Sequence, residues 1–262
     1  MTSATDFVER YAVVPDLRGP RIRLGVAWGL ALSVAVVAGI WPLAVLLAMT
    51  TALAALQVTI RWADAGEAPN QPVAAAGAAL MVLGAAVNNT MFGIASILMA
   101  AVAVAYPDGF DGRPSTDVLG SARRAWSTIS SGWFVGLAGG AVVQVGRVDA
   151  VALFFLLAAV STYDAGDFLC SEGARNRYVG PLAGMAGIGV VTAAMYFAEP
   201  EPFTTGQAIV VGVLLALLCP AGQLFGSWLL PRARAHAPAL RRIDSWLLAA
   251  PAFVVAAWIA QP

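Results

Sequence analysis

From residue 24 to residue 260 the chain is a succession of apolar stretches, each broken off by a short polar or turn-forming connection. They lie at 24–40, 43–60, 72–87, 91–105, 132–145, 150–163, 180–198, 208–230 and 246–260. A helix needs about 20 apolar residues to cross a hydrocarbon layer of about 30 Å. In that layer every backbone N–H and C=O must find its partner within the protein, which leaves helices as the usual solution. The pattern therefore specifies an all-α, polytopic transmembrane helical bundle of about nine spans, forming a single integral membrane domain over 1–262. Several stretches are short, so one boundary is displaced or one pair is re-entrant. Composition agrees: 60% of residues are hydrophobic and 11% charged, against roughly 45–50% and 25% in soluble domains.

Arginine placement sets the orientation. With residues 1–23 as a polar cytoplasmic N-terminal segment, Arg10, Arg18, Arg21, Arg23, Arg61, Arg113, Arg123, Arg124, Arg175, Arg177, Arg232, Arg234, Arg241 and Arg242 fall inside, and Arg147 falls outside. The outer turns carry Asp149, Glu199 and Glu201 instead. No secretory signal is expected, because the first 20 residues are polar and contain Arg10 and Arg18. Residues 6–13 read as a loose tail more than as a surface helix. The formal net charge is +0, so nothing in the balance recommends a nucleic acid as partner. All the basic residues are arginine, which excludes any mechanism built on a lysine. Cys170 and Cys219 lack metal-ligand spacing and read as small buried hydrophobes.

Chemistry concentrates in two inner connections. The first contains Asp164 and Asp167; the second runs from Arg232 and Arg234 through His236 to Arg241, Arg242, Asp244 and Ser245. Carboxylates beside arginines at a membrane boundary suit Mg2+ with a phosphate ligand, since Mg2+ takes oxygen donors and bridges phosphates. Guanidinium groups bind phosphate oxygens in pairs. The plain alternative is that these arginines only fix topology. The segment Asp108-Gly109-Phe110-Asp111-Gly112-Arg113 looks like the opening of a CDP-alcohol phosphotransferase motif, but only Asp117 follows it and it reads as a turn-rich loop.

Residues 222–252 resemble the C-terminal signature of the phosphatidate cytidylyltransferases. Gly222-Gln223-Leu224-Phe225-Gly226-Ser227 stands where that family has G-D-L-x-E-S. His236 through Arg242, Asp244 and Ser245 stands where it has H-G-G-x-x-D-R-x-D-S, with the same spacing from the histidine to the last aspartate, and Leu248-Ala249-Ala250-Pro251 closes the motif. Tyr163-Asp164-Ala165-Gly166 is similar to the family's D-x-G-A-Y element. The chain departs from the pattern at Gln223, Gly226, Ala237, Pro238 and Arg241, the last a charge reversal, and it lacks the lysine-rich elements.

The resemblance implies CMP transfer from CTP to a phosphatidic acid-like lipid at the inner face of a bacterial plasma membrane, in phospholipid biosynthesis. It implies Asp164, Asp167 and Asp244 as Mg2+ ligands. Asp164, Asp244 and Arg242 are the expected catalytic residues, with His236, Arg232, Arg234, Ser227 and Ser245 as substrate contacts. The partners expected are the lipid, CTP and, among protein partners, a second copy of the chain as a homodimer. Two alternatives stand beside this reading: an impaired member that binds lipid or scaffolds another protein, and a CTP-dependent lipid-alcohol kinase or archaeal-type CDP-lipid synthase.

Overall fold

The computed structural model describes residues 20–107, 109, 118–171, 176, 178–199 and 201–260. Nine α-helices and no strand are present among them. In chain order they are α1 (Pro20–Ala38), α2 (Ile40–Asp64), α3 (Gln71–Val87), α4 (Asn89–Ala105), α5 (Val118–Val148), α6 (Ala150–Ser171), α7 (Val179–Ala198), α8 (Thr205–Trp228) and α9 (Trp246–Ala260), with one turn of 3-10 helix at Leu240–Arg242. Among the described residues, α2, α5, α6, α7 and α8 are long and apolar enough to cross a membrane. The N-terminal tail, the aspartates around Asp111 and both Arg175 and Arg177 lie outside the described residues.

Helix boundaries follow local chemistry. The break between α1 and α2 is Gly39, whose φ of 110° suits a residue without Cβ. Trp41-Pro42 belongs to the first turn of α2, where proline is tolerated, and is not itself the turn expected from the sequence. Asn70 and Asn88 cap α3 and α4 by accepting from Val73 and Met91. Thr204 and Gln207 form a reciprocal capping box on α8.

The connections alternate between two ends of the bundle. At one end, the Arg147 guanidinium at the close of α5 reaches the Ala85 carbonyl and the Asn89 side chain, each at 3.3 Å. Phe155, Phe203 and Phe253 meet edge to face at the same end, with centroids 5.7–5.8 Å apart. At the other end, Asn70 donates its side-chain amide to the Tyr106 carbonyl at 2.9 Å and its backbone N–H to the Thr128 hydroxyl at 2.8 Å.

α5 is the most enclosed of the long helices and packs on α2, α3, α4, α6 and α9. Small residues permit this. A Cβ on Gly136 would lie 2.9 Å from the Met81 sulfur, and one on Gly139 would lie 2.7 Å from Thr51. The sequence suggested a polar connection up to residue 130, yet α5 starts at Val118. These turns are polar, and Ser127, Thr128, Ser130 and Ser131, all buried, satisfy their hydroxyls on carbonyls three or four residues back, which lets them lie inside the bundle.

The outside of the bundle is apolar. Val34 and Val37 on α1, Val190 and Phe197 on α7, and Val210 and Leu217 on α8 are all exposed. Trp41, Tyr106, Tyr178 and Trp228 sit exposed at or beside helix ends, where amphipathic rings favour a membrane–water boundary. Apolar flanks with aromatic ends describe a helical membrane protein.

Candidate functional site: a hydrogen-bonded cluster at the end of the bundle

The sequence placed Asp164 and Asp167 in a connection after a span ending at Tyr163. Instead α6 continues to Ser171, so both acids project from its last turns. Tyr163, Asp167 and Ser171 are four apart and share a face. The buried Tyr163 hydroxyl donates to Gln223 Oε1 at 3.1 Å, and Gln223 Nε2 donates to Asp167 Oδ2 at 3.0 Å. The Ser171 hydroxyl donates to the other Asp167 oxygen at 3.4 Å. One amide thus ties α8 to two positions of α6.

Asp164 takes a different partner. The buried Ser245 hydroxyl donates to Asp164 Oδ2 at 3.2 Å. The turn that carries Ser245 can lie this deep because α8 presents glycine to it. A Cβ on Gly222 would come within 2.6 Å of the Asp244 carbonyl, and one on Gly226 within 2.6 Å of the Asp244 Cβ. On its far side α6 meets α7 as closely: a Cβ on Gly166 would lie 2.9 Å from the Ala183 carbonyl carbon.

Residues 229–243 form an ordered strap clamped by the last turns of α2. Trp62 Nε1 donates to the Leu229 carbonyl at 2.8 Å, Arg61 Nε to the His236 carbonyl at 2.9 Å, and the Ala239 N–H to Gln57 Oε1 at 2.8 Å. Along the strap Ala233, Ala237 and Leu240 are buried, while Arg232, Arg234, His236 and Pro238 are exposed. Alanines therefore face inward and the basic side chains line the outer edge.

Arg241 closes the strap onto the helices. Its Nη1 donates to Ser227 Oγ at 2.9 Å and pairs with Asp244 Oδ2 at 3.3 Å, and its Nη2 donates to the Ala233 carbonyl. The Asp244 side chain is 2% exposed, so a nearby countercharge offsets the cost of burying its carboxylate. Arg242 points elsewhere: its guanidinium lies against Gly25 on α1, where a Cβ would be 3.2 Å from Nη1.

The residues singled out by sequence thus separate into three groups. Asp164 and Ser245 meet directly. Ser227 and Asp244 meet through Arg241. Arg232, Arg234 and His236 stand on the outer edge of the strap, and Arg242 turns to α1. Sequence reasoning missed Gln57, Arg61 and Trp62 as the strap's anchors. A glutamine inside an apolar span, four residues before an arginine, was the available signal. It also read Gln223 and Arg241 only as losses, whereas each links two or three segments.

Each of the three acids expected to hold Mg2+ accepts from a protein group, Asp164 from the Ser245 hydroxyl. Asp244 is engaged by a guanidinium and Asp167 by an amide and a hydroxyl. Among the described residues no three His, Cys, Asp or Glu side chains gather as a metal-binding set. The arrangement provides a partly buried polar cluster, in which Asp244 is paired with Arg241 and Asp164 and Asp167 accept from neutral donors, beside a basic edge. Comparison of the chain with protein-family models, with curated proteins and with solved structures finds no match in any of the three.

Proposed function

We propose that the chain is a nine-span protein of a bacterial inner membrane, with its N-terminus and strap on the cytoplasmic side. In this reading it is built on the plan of the phosphatidate cytidylyltransferases but binds an anionic lipid headgroup without transferring CMP. The pairing of Asp244 with Arg241 at 3.3 Å carries the reading, because it commits to an internal partner the carboxylate that metal-assisted transfer would draw on. The exposed Arg232 and Arg234 supply guanidinium forks of the kind that take lipid phosphate.

CMP transfer from CTP to phosphatidic acid is the second reading. The Ser245–Asp164 contact favours it, since it brings together the two segments whose residues resemble the enzyme family. One assay separates the readings. Purified protein is incubated with labelled CTP, phosphatidic acid and Mg2+, beside Asp244→Asn and Asp164→Asn. Turnover no higher than in the variants, together with retention of phosphatidic acid in native mass spectrometry, supports the binding reading. Turnover that both variants abolish overturns it in favour of the enzyme. Phosphorylation of a lipid alcohol supplied in place of phosphatidic acid, with CTP labelled on its γ-phosphate, would support instead the kinase alternative.

A further inference from the structure

We propose that the groove between α3 and α4 holds one acyl chain of a phospholipid, drawn from the leaflet at the Asn70–Tyr106 end of the bundle, with its phosphate beside Arg124 on α5. At their connecting turn the two helices touch backbone to backbone: a Cβ on Gly84 would lie 2.8 Å from the Met91 carbonyl oxygen. Away from that turn the buried Met99 side chain comes between them, and a Cβ on either Gly77 or Gly132 would collide with it. Outside Met99 remains a cavity of about 230 Å3. Pro72, Ala76 and Leu80 form one wall and Ala95, Leu98 and Val102 the other, apolar throughout. Ala76, Leu80 and Leu98 are exposed, so the cavity opens sideways onto the apolar flank of the bundle.

Dimensions and surroundings choose the occupant. From Pro72 to Leu80 the groove rises about 12 Å at about 1.5 Å per residue, close to half of a hydrocarbon layer of about 30 Å. It therefore serves one leaflet. A hydrocarbon chain fits the volume, whereas a helix of a second chain, roughly 10–12 Å across, does not. The groove's polar end lies where a headgroup would. Asn70, just before Pro72, donates its side-chain amide to the carbonyl of Tyr106, one turn past Val102. The Asn70 N–H donates to Thr128. Thr128 and Gly132 thus set one face of α5 against the base of the groove, and Arg124 stands one turn further out on that face. Exposed Tyr106 and Trp126 mark the membrane–water boundary at this level, and guanidinium groups bind phosphate oxygens. The strap hangs on α2 through Trp62 and Gln57, so this site is separate from the headgroup site proposed above.

The test is photolabelling of the full chain in uncharged detergent micelles containing a trace of phosphatidylglycerol with a diazirine midway along one acyl chain, read by peptide mass spectrometry. Labelling is expected to concentrate on the groove walls of α3 and α4, above that on the exposed faces of α7 and α8. Ala76→Phe fills the groove from its open side and is expected to lower that labelling about tenfold, whereas Val190→Phe on α7 leaves it unchanged. Arg124→Gln is expected to lower it about fivefold. Arg232→Gln combined with Arg234→Gln is expected to leave it unchanged, so this site can fail while the strap's stands, and the reverse. Should Ala76→Phe not accumulate, Ala76→Leu undergoes the same series. Labelling spread evenly over every exposed helix face, groove labelling that survives Ala76→Phe or Arg124→Gln, or an equal fall in Val190→Phe or the strap variant would overturn the proposal.

Discussion

Ser245 donates to Asp164 across 3.2 Å, joining the turn before α9 to the end of α6 over 81 residues of sequence. A buried hydroxyl on a carboxyl acceptor contributes about 1–3 kcal/mol. Ser245→Ala is expected to lower stability by that amount. A double-mutant cycle with Asp164→Ala should give a coupling of about 1 kcal/mol, measured by unfolding in detergent. Strict additivity would mean that the contact does not join the segments.

Glycines that look alike in sequence should respond in opposite ways. Gly222 and Gly226 face Asp244 and Ser245 at distances that leave no space for a methyl group. Alanine at either is expected to cost about 1–3 kcal/mol through overpacking. Gly29 and Gly189 have nothing within 4 Å of a built Cβ, so alanine there should be neutral or stabilise by up to about 1 kcal/mol through helix propensity. Relative melting temperatures of the four variants check this ordering.

Gln223 accepts from Tyr163 and donates to Asp167 with the two ends of one amide. Gln223→Glu keeps the shape, removes the donor and sets a second carboxyl beside Asp167. It is expected to destabilise by about 1–3 kcal/mol, whereas Tyr163→Phe, which removes only the outer bond, should cost about 1 kcal/mol. The same unfolding measurement ranks them, and the reverse order would show that the Asp167 end is unimportant.

The strap's anchors predict its protease sensitivity. Trp62 and Gln57 fix Leu229 and Ala239, which bracket the exposed Arg232 and Arg234. Trypsin cuts after arginine only where about a turn of backbone can leave its contacts. Trp62→Phe and Gln57→Ala are therefore expected to be cleaved in the strap several times faster than wild type, with the helices resisting in all three. Equal rates would place the strap's order elsewhere.

The helices were legible in the sequence wherever hydrophobicity alone decided them. The span read at 246–260 matches α9, and those read at 91–105 and 180–198 start within two residues of α4 and α7. Reading failed where polar residues continue a helix. The turns of α5 around Ser127 and those of α6 around Asp167 were expected to be connections, because a hydrophobicity pattern cannot see a hydroxyl bonded to its own backbone. The site was legible in its parts and not in its pairing. Asp164 and Asp244 stood out by their position at span ends, and Ser245 through the family resemblance. That Asp244 answers to Arg241 and Asp164 to Ser245 depends on how closely α8 admits the strap, a property of Gly222 and Gly226 that no single residue announces.

The Arg242 guanidinium against Gly25 carries a consequence for biogenesis. Gly25 belongs to α1, and Arg242 is made more than two hundred residues after it. Until that arginine is synthesised, α1 has α2 as its main neighbour. The contact that seats α1 against the strap thus forms only after residue 242 has been made, and truncations before that residue should release a chain whose α1 is more loosely held.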